Sequence, residues 1–323
     1  MVEGAGAGAA PTGMALTGPA SPSAADAVVA VPVANVWSEP GAVRPVDRSV
    51  VLPRPDIPAW LGAMTQDDRL GLQGRLETQA LLGEAVVVLS ERSGWAQVEL
   101  LSQPSRKGKL GYPGWVRCEH LADTPATAPA GPSATVSVLH ARGQTEGAEL
   151  VVLGYGTVLP IEGRRGQHLL LRLPGGSLVE VAGAALAPVP AAGAAVLASA
   201  RTFSGLPYLW GGCSGYGVDC SGLAHLAHRC AGLVIPRDAH DQAGAGEALG
   251  TSGAAPGDLL FFARPEEEPH HVAVCAGQGR MLHSPGTGRV VEEVSQATEP
   301  YRSELQPLAR RYASSARAGP LPS

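Results

Sequence analysis

The sequence of 323 residues predicts an α+β protein, with two small β-barrels ahead of a domain whose cysteine-bearing helix packs on an antiparallel sheet. Three observations predict it. Short apolar runs broken by turn residues fill the first half, the pattern occurs twice, and past position 192 helical runs come before the strands. The composition agrees: 42 Gly, 28 Pro and only 16% charged residues favour turns and short strands over long helices.

Two Pro/Ala-rich stretches, DTPATAPAGPS (123–133) and LAPVPAAGAA (186–195), act as linkers. They divide the chain into a flexible tail (1–26), a first barrel (27–125), a second barrel (131–190) and a C-terminal domain (192–316). The tail has no basic n-region and no continuous apolar h-region, so a cytoplasmic protein is expected, with secretion left open if the start site is misassigned. In the first barrel, LGEAVVVLSERSGWAQVELL (82–101) predicts a hairpin turning at Glu91–Gly94, and GYPGWV (111–116) a further turn and strand. Residues 57–75 form an insertion with short helical periodicity, and Trp95 and Trp115 are expected in the barrel core. LGYGTVLPIEGRRGQHLLLRL repeats the hairpin pattern, and SLVEVAGAAL corresponds to GWVRCEHL. Two diverged copies of one small barrel explain this, since closing a sheet removes exposed edges.

In the last part, a helix over Ala195–Phe203 leads through a Gly-rich loop to a second helix starting at Cys220. Strands are expected at Asp258–Phe262, His271–Ala276, Met281–Ser284 and Arg289–Val294, the chain order of papain-like folds. Leu223, Leu226, Ala227 and Cys230 form one apolar stripe, and Gly232 offers a helix stop. His225 and His228 fall on the opposite, polar face, where solvation is expected. Cys220 therefore lies in a first turn, where unpaired N–H groups and the helix dipole favour a thiolate and can stabilise an oxyanion. A nucleophilic thiol needs a base. His270 and His271 begin an alternating strand, so only one can face the helix. His283 follows one hairpin later, across a turn at Gly277–Gly279, placed to orient the basic imidazole.

PYLWGG, DCSGL, IPRDAHDQ, GDLLFF, HHVAV and MLHSP stand in this order between Gly205 and about Tyr312. Together they resemble the NlpC-type cell-wall cysteine peptidases, a papain-like family, and both barrels resemble bacterial SH3-like domains. The resemblance implies a Cys–His–His triad of Cys220, His271 and His283, with His271 preferred over His270 because it directly precedes the VAV strand. SH3-like domains with GYPGW, together with IPRDA, are similar to the subgroup that recycles murein peptides. Those enzymes cut between γ-D-glutamate and a diamino acid and need a free N-terminal L-Ala. The resemblance implies that Asp219, Ser221, Tyr208 and Asp238 line the amine end and that Tyr112 of the first barrel closes the pocket. Glu84 is a further candidate countercharge. Asp219 also suits a helix N-cap, and Arg237–Asp238 an ordinary surface ion pair. Ala239 stands where the subgroup often has Ser, which removes one hydrogen bond.

The formal charge of −5 argues against nucleic acid or an anionic membrane as partner. No apolar stretch approaches the ~20 residues of a membrane span. Five cysteines without a CxxC pair make a disulfide framework or structural zinc unexpected, and no cofactor or metal is expected. Two alternatives stay open: an amidase or acyltransferase of the same fold acting on another amide, and a catalytically inactive wall-binding protein.

Overall fold

The computed structural model describes residues 25–124, 131–187 and 194–312. The expected tail and most of both linkers lie outside the described residues. No described helix is long and apolar enough to cross a membrane.

The first sheet comprises β1 (Ala27–Val29), β2 (Val33–Trp37), β3 (Leu76–Leu81), β4 (Ala85–Arg92), β5 (Trp95–Leu100), β6 (Tyr112–Arg117) and β7 (Leu121–Asp123). Its strand order is β3-β2-β6-β5-β4-β1-β7. The β4–β5 hairpin turns on Ser93 and Gly94, both with positive φ (50° and 77°). That is the primed two-residue turn whose twist matches its strands. The second sheet comprises β8 (Ser133–Val136), β9 (His140–Thr145), β10 (Leu150–Gly154), β11 (Val158–Arg165), β12 (His168–Arg172), β13 (Leu178–Ala182) and β14 (Leu186–Ala187). Its order, β10-β9-β13-β12-β11-β8-β14, is the first order shifted by seven. The internal repeat thus extends to the whole topology. Each barrel has its own apolar interior, Val86, Val98 and Val116 in the first and Val136, Leu171 and Val181 in the second.

Between β2 and β3 the first barrel carries α1 (Ile57–Ala63) and α2 (Gln66–Leu70), capped by Asp56 and Thr65 through the N–H groups of Ala59 and Asp68. Trp60 and Leu72 of this insertion are fully buried in a cluster shared with the C-terminal domain. The expected core tryptophans are instead half-buried: Arg92 covers the face of Trp115 and Arg117 that of Trp95. Barrel strands alternate, and these two rings point away from the barrel interior, where a guanidinium covers each and Trp95 also packs against the cluster shared with the C-terminal domain.

The C-terminal domain contains α3 (Ala194–Arg201), β15 (Cys213–Ser214), β16 (Gly217–Val218), α4 (Cys220–Cys230) and α5 (Ala239–Ala243). β17 (Glu247–Gly250), β18 (Leu259–Phe262), β19 (His271–Gly277), β20 (Arg280–His283), β21 (Glu292–Ser295), α6 (Tyr301–Glu304) and β22 (Leu305–Arg311) follow. The six-stranded sheet has the order β17-β22-β18-β19-β20-β21. Its strands alternate: Leu259, Phe261, Val272 and Val274 pack with α3 and α4, while Leu260, Phe262, Ala273 and Met281 form a core on the other face.

The helix α4 has no polar face in solvent. His225 and His228, expected to be solvated, are both buried. Their Nδ1 atoms bond the carbonyls of Ile235 (2.9 Å) and Ala224 (2.7 Å). Burial pushes their pKa values down to about 3 and about 4.

Candidate active site

The start of α4 is set by Asp219, whose Oδ1 accepts from the Gly222 N–H at 2.7 Å. A Cβ at position 222 would stand 2.2 Å from the Gly212 carbonyl, so only glycine lets the helix end seat on the preceding loop. Arg237, fully buried, locks this corner. Its five N–H bonds all find partners. Nη1 donates to Asp219 Oδ1 and Ser221 Oγ, and Nη2 to Asp219 Oδ2 and the Gly212 carbonyl. Nε donates to Thr78 Oγ1 of the first barrel. Arg237–Asp238 is therefore not a surface ion pair, because Arg237 pairs inward with Asp219. The carboxylate of Asp219 and the hydroxyl of Ser221 both take part in this internal network.

Cys220, in the first turn of α4, is partly exposed. The backbone N–H groups of Val272 and Ser221 lie within reach of its sulfur. Val272 stands beyond the last β19–β20 pair, Val274 with Leu282, so its strand edge is open toward α4. The end of β20 is tied to the segment before the cysteine, Ser284 Oγ donating to the Val218 carbonyl at 2.8 Å. His271, adjacent to Val272, is buried, and its Nε2 lies 2.9 Å from Nδ1 of His283, itself fully buried. His270 points the other way, partly exposed, with Nε2 3.4 Å from Glu304. The ring of Tyr301 lies against both site imidazoles, with centroids 5.9 Å and 4.7 Å away.

Burial dominates the electrostatics. It pushes the Cys220 thiol up to about 12, reinforced by the charge of Asp219. Burial and the neighbouring His283 push His271 down to about 3, and burial pushes His283 down to about 4. Burial thus favours a neutral thiol and neutral imidazoles at rest. The helix terminus does not by itself supply a thiolate, because desolvation and Asp219 outweigh it. With Nε2 of His271 committed to His283, its Nδ1 is the nitrogen left for proton transfer. Tyr208 lies beside Cys220 and Asp219, where burial first and then the Asp219 charge hold its phenol protonated as a donor.

A second polar group lies where the first barrel meets the segment after α4, next to Arg237. Tyr112 of β6, buried, places its hydroxyl 3.0 Å from Asp238 Oδ2 and 3.2 Å from Glu77 Oε2. Lys107 Nζ joins them, 2.9 Å from Glu77 and 3.1 Å from Asp238. Glu77 and Lys107 were not singled out from the sequence. The alternation of β3, which turns Glu77 away from the buried Leu76 and Thr78, was the only available signal.

Glu84 is not in this group. It accepts from Leu81 N–H, Ser102 Oγ, Gln103 Nε2 and Arg229 Nη1 (2.9 Å). Arg229 is nine positions after Cys220 on α4, about 13 Å along the helix axis. Glu84 is thus a buried structural partner at the far end of the helix, where Arg229 also donates to the Gly156 carbonyl of the second barrel. Cys213, buried, donates its N–H to Gln79 Oε1 and faces no base. Among the described residues, metal-ligand atoms converge at Asp238, His240 and Asp241. Both carboxylates there already serve protein donors, Tyr112 and Lys107 on Asp238, Ser105 and Arg106 on Asp241.

Comparison with known proteins agrees with this layout. Residues 205–311 match the NlpC/P60 family and residues 71–121 the bacterial dipeptidyl-peptidase Sh3 domain. The γ-D-glutamyl-L-lysine dipeptidyl-peptidase of Bacillus subtilis is 37% identical over 86% of this chain and 96% of its own length. A Bacillus cereus protein of the same name is 33% identical over 88% of this chain and 90% of its own. The crystal structure of an NlpC/P60 family protein from Bacillus cereus superposes with a TM-score of 0.85 at 32% identity, covering 90% of this chain and all of that one.

Proposed function

Because the chain belongs to the NlpC/P60 family, we propose that it is a cysteine peptidase hydrolysing the γ-D-glutamyl–diamino acid bond of murein peptides that carry a free N-terminal L-Ala. The carrying observation is the contact between Tyr112 and Asp238, 126 positions apart. It brings two carboxylates, Glu77 and Asp238, and a phenol together beside Arg237, which bonds the residues on either side of Cys220. An ammonium leaving water needs such acceptors, whereas an acylated nitrogen brings no charge to them.

In the reaction, His271 Nε2–H donates to His283 Nδ1, and His271 Nδ1 takes the Sγ–H proton as the sulfur adds to the γ-glutamyl carbonyl. The backbone N–H groups beside Cys220 and the Tyr208 hydroxyl supply donors to the developing oxyanion. Collapse expels the diamino acid amine, which takes the proton from His271. Water, deprotonated by His271 Nδ1, then adds to the thioester, and collapse breaks the C–S bond, returns that proton from His271 to the Cys220 sulfur and releases L-Ala-γ-D-Glu. The free-amine requirement suits fragments released from the wall, and we place this activity in the cytoplasm.

The test pairs L-Ala-γ-D-Glu-diaminopimelate with its N-acetylated form, following products by mass spectrometry. The free tripeptide is cleaved and the acetylated one is not, and Cys220→Ala, still folded, cleaves neither. Equal rates on both would remove the amine requirement. An active Cys220→Ala variant would remove the peptidase.

A further inference from the structure

The ammonium subsite just described already holds an ammonium. Lys107 Nζ has three protons and three acceptors: Tyr112 Oη at 2.6 Å, Glu77 Oε2 at 2.9 Å and Asp238 Oδ2 at 3.1 Å. Tyr112 gives its own proton to Asp238 and accepts from Lys107. The N-terminal ammonium of a peptide has the same three donors. Two ammonium groups cannot share acceptors that define a single point about 3 Å from each, because like charges at that distance repel strongly.

Nor is Lys107 there by accident of a loose loop. Asp241 of α5 holds Ser105 Oγ and the Arg106 N–H, both at 3.1 Å, and Arg106 pairs with Glu268. On the barrel side Glu99 accepts the Gly111 N–H at 3.0 Å. The backbone around Lys107 is therefore fastened to both domains. Its side chain remains 41% exposed, free to swing into solvent.

Resting on the amine-site reading above, we propose that Lys107 is a built-in occupant of the ammonium subsite, which the free amine of the substrate must displace. In the empty enzyme it balances two partly buried carboxylates. On binding, only a ligand that supplies its own ammonium replaces the bonds that Lys107 gives up. Lys107 thereby keeps the empty subsite neutralised at the expense of affinity for the free amine.

Calorimetry of the product dipeptide L-Ala-γ-D-Glu on the full chain tests this, with Cys220→Ala as background. Adding Lys107→Met tightens binding about tenfold, ~1.4 kcal/mol, and leaves the N-acetyl dipeptide weak. Unchanged or weaker binding in Lys107→Met overturns the proposal. Equal binding of the free and acetylated dipeptides to the Lys107 protein instead overturns the amine site itself. Acetylation of Lys107 in the otherwise native chain, followed by mass spectrometry, accelerates when the dipeptide is present. Slower acetylation would show Lys107 retained beside the ligand and would also overturn it.

Discussion

The two barrels share one strand order and differ almost only in what joins the strands. In the first, residues 38–75 separate β2 from β3 and residues 101–111 separate β5 from β6. In the second, the equivalent connections are residues 146–149 and 173–177. The long connections meet the C-terminal domain: one buries Trp60 and Leu72 against it, the other carries Lys107 to Asp238 and leads into Tyr112. The second barrel docks at the opposite end of α4, where Gly156 receives Arg229 and Tyr155 packs on Phe203. A duplicated scaffold has thus been divided, one copy sending its loops to Asp238 and Asp241 and the other meeting the far end of α4.

The comparison can be broken most sharply at a carboxylate. Asp238→Asn lowers kcat/KM for the free-amine tripeptide about 10- to 100-fold, since a charge-assisted acceptor is lost. Glu180→Gln, which removes the partner of the exposed Arg165 and neighbour of His168 on the second barrel, changes it less than about twofold. Equal effects would deny the division of labour. At the supporting end, Arg229→Met leaves Glu84 buried without its cation and costs about 3 kcal/mol of stability in denaturant unfolding. kcat/KM of the folded variant stays near the original, and a comparable loss there would make the junction part of the site.

The smallest effects come with pH. Since His271 is held near 3, the acid limb of kcat/KM falls well below the ordinary histidine value of about 6.5. The alkaline limb follows loss of the substrate's own ammonium near pH 8. An acid limb near 6.5 would mean a solvated His271. Stability moves in the same direction. With folded values near 3 and 4 for His225 and His228 and about 6.5 unfolded, the unfolded chain binds more protons across that window. The melting temperature therefore drops as pH falls below about 6.5, and a flat profile between pH 7 and 4 would show both imidazoles titrating freely.

The elements of the nucleophile site were legible because their cues are local. Asp219-Cys220 before an apolar stripe marks a helix start, and His271 and His283 flank one hairpin turn. Tyr112 and Asp238 came only through family motifs, for nothing local joins a barrel strand to a loop 126 positions away. Nothing local separates Glu84, in a turn, from Glu77, in β3, and only the packing shows that Glu77 meets Tyr112 and Glu84 meets Arg229. His225 and His228 were misplaced for the same reason. Periodicity identifies the apolar face of α4 but cannot tell that a second surface covers the polar one.

What the sequence determined by itself is the order of elements, the repeat and the cysteine with its two histidines, because side-chain periodicity and turn chemistry act between neighbours. The tertiary structure decided the rest. It directed Arg237 inward to Asp219, gathered Glu77, Lys107, Tyr112 and Asp238 into one group and favoured a neutral thiol. Charge pairing and desolvation depend on which surfaces meet, and in this protein the meeting surfaces come from domains far apart along the chain.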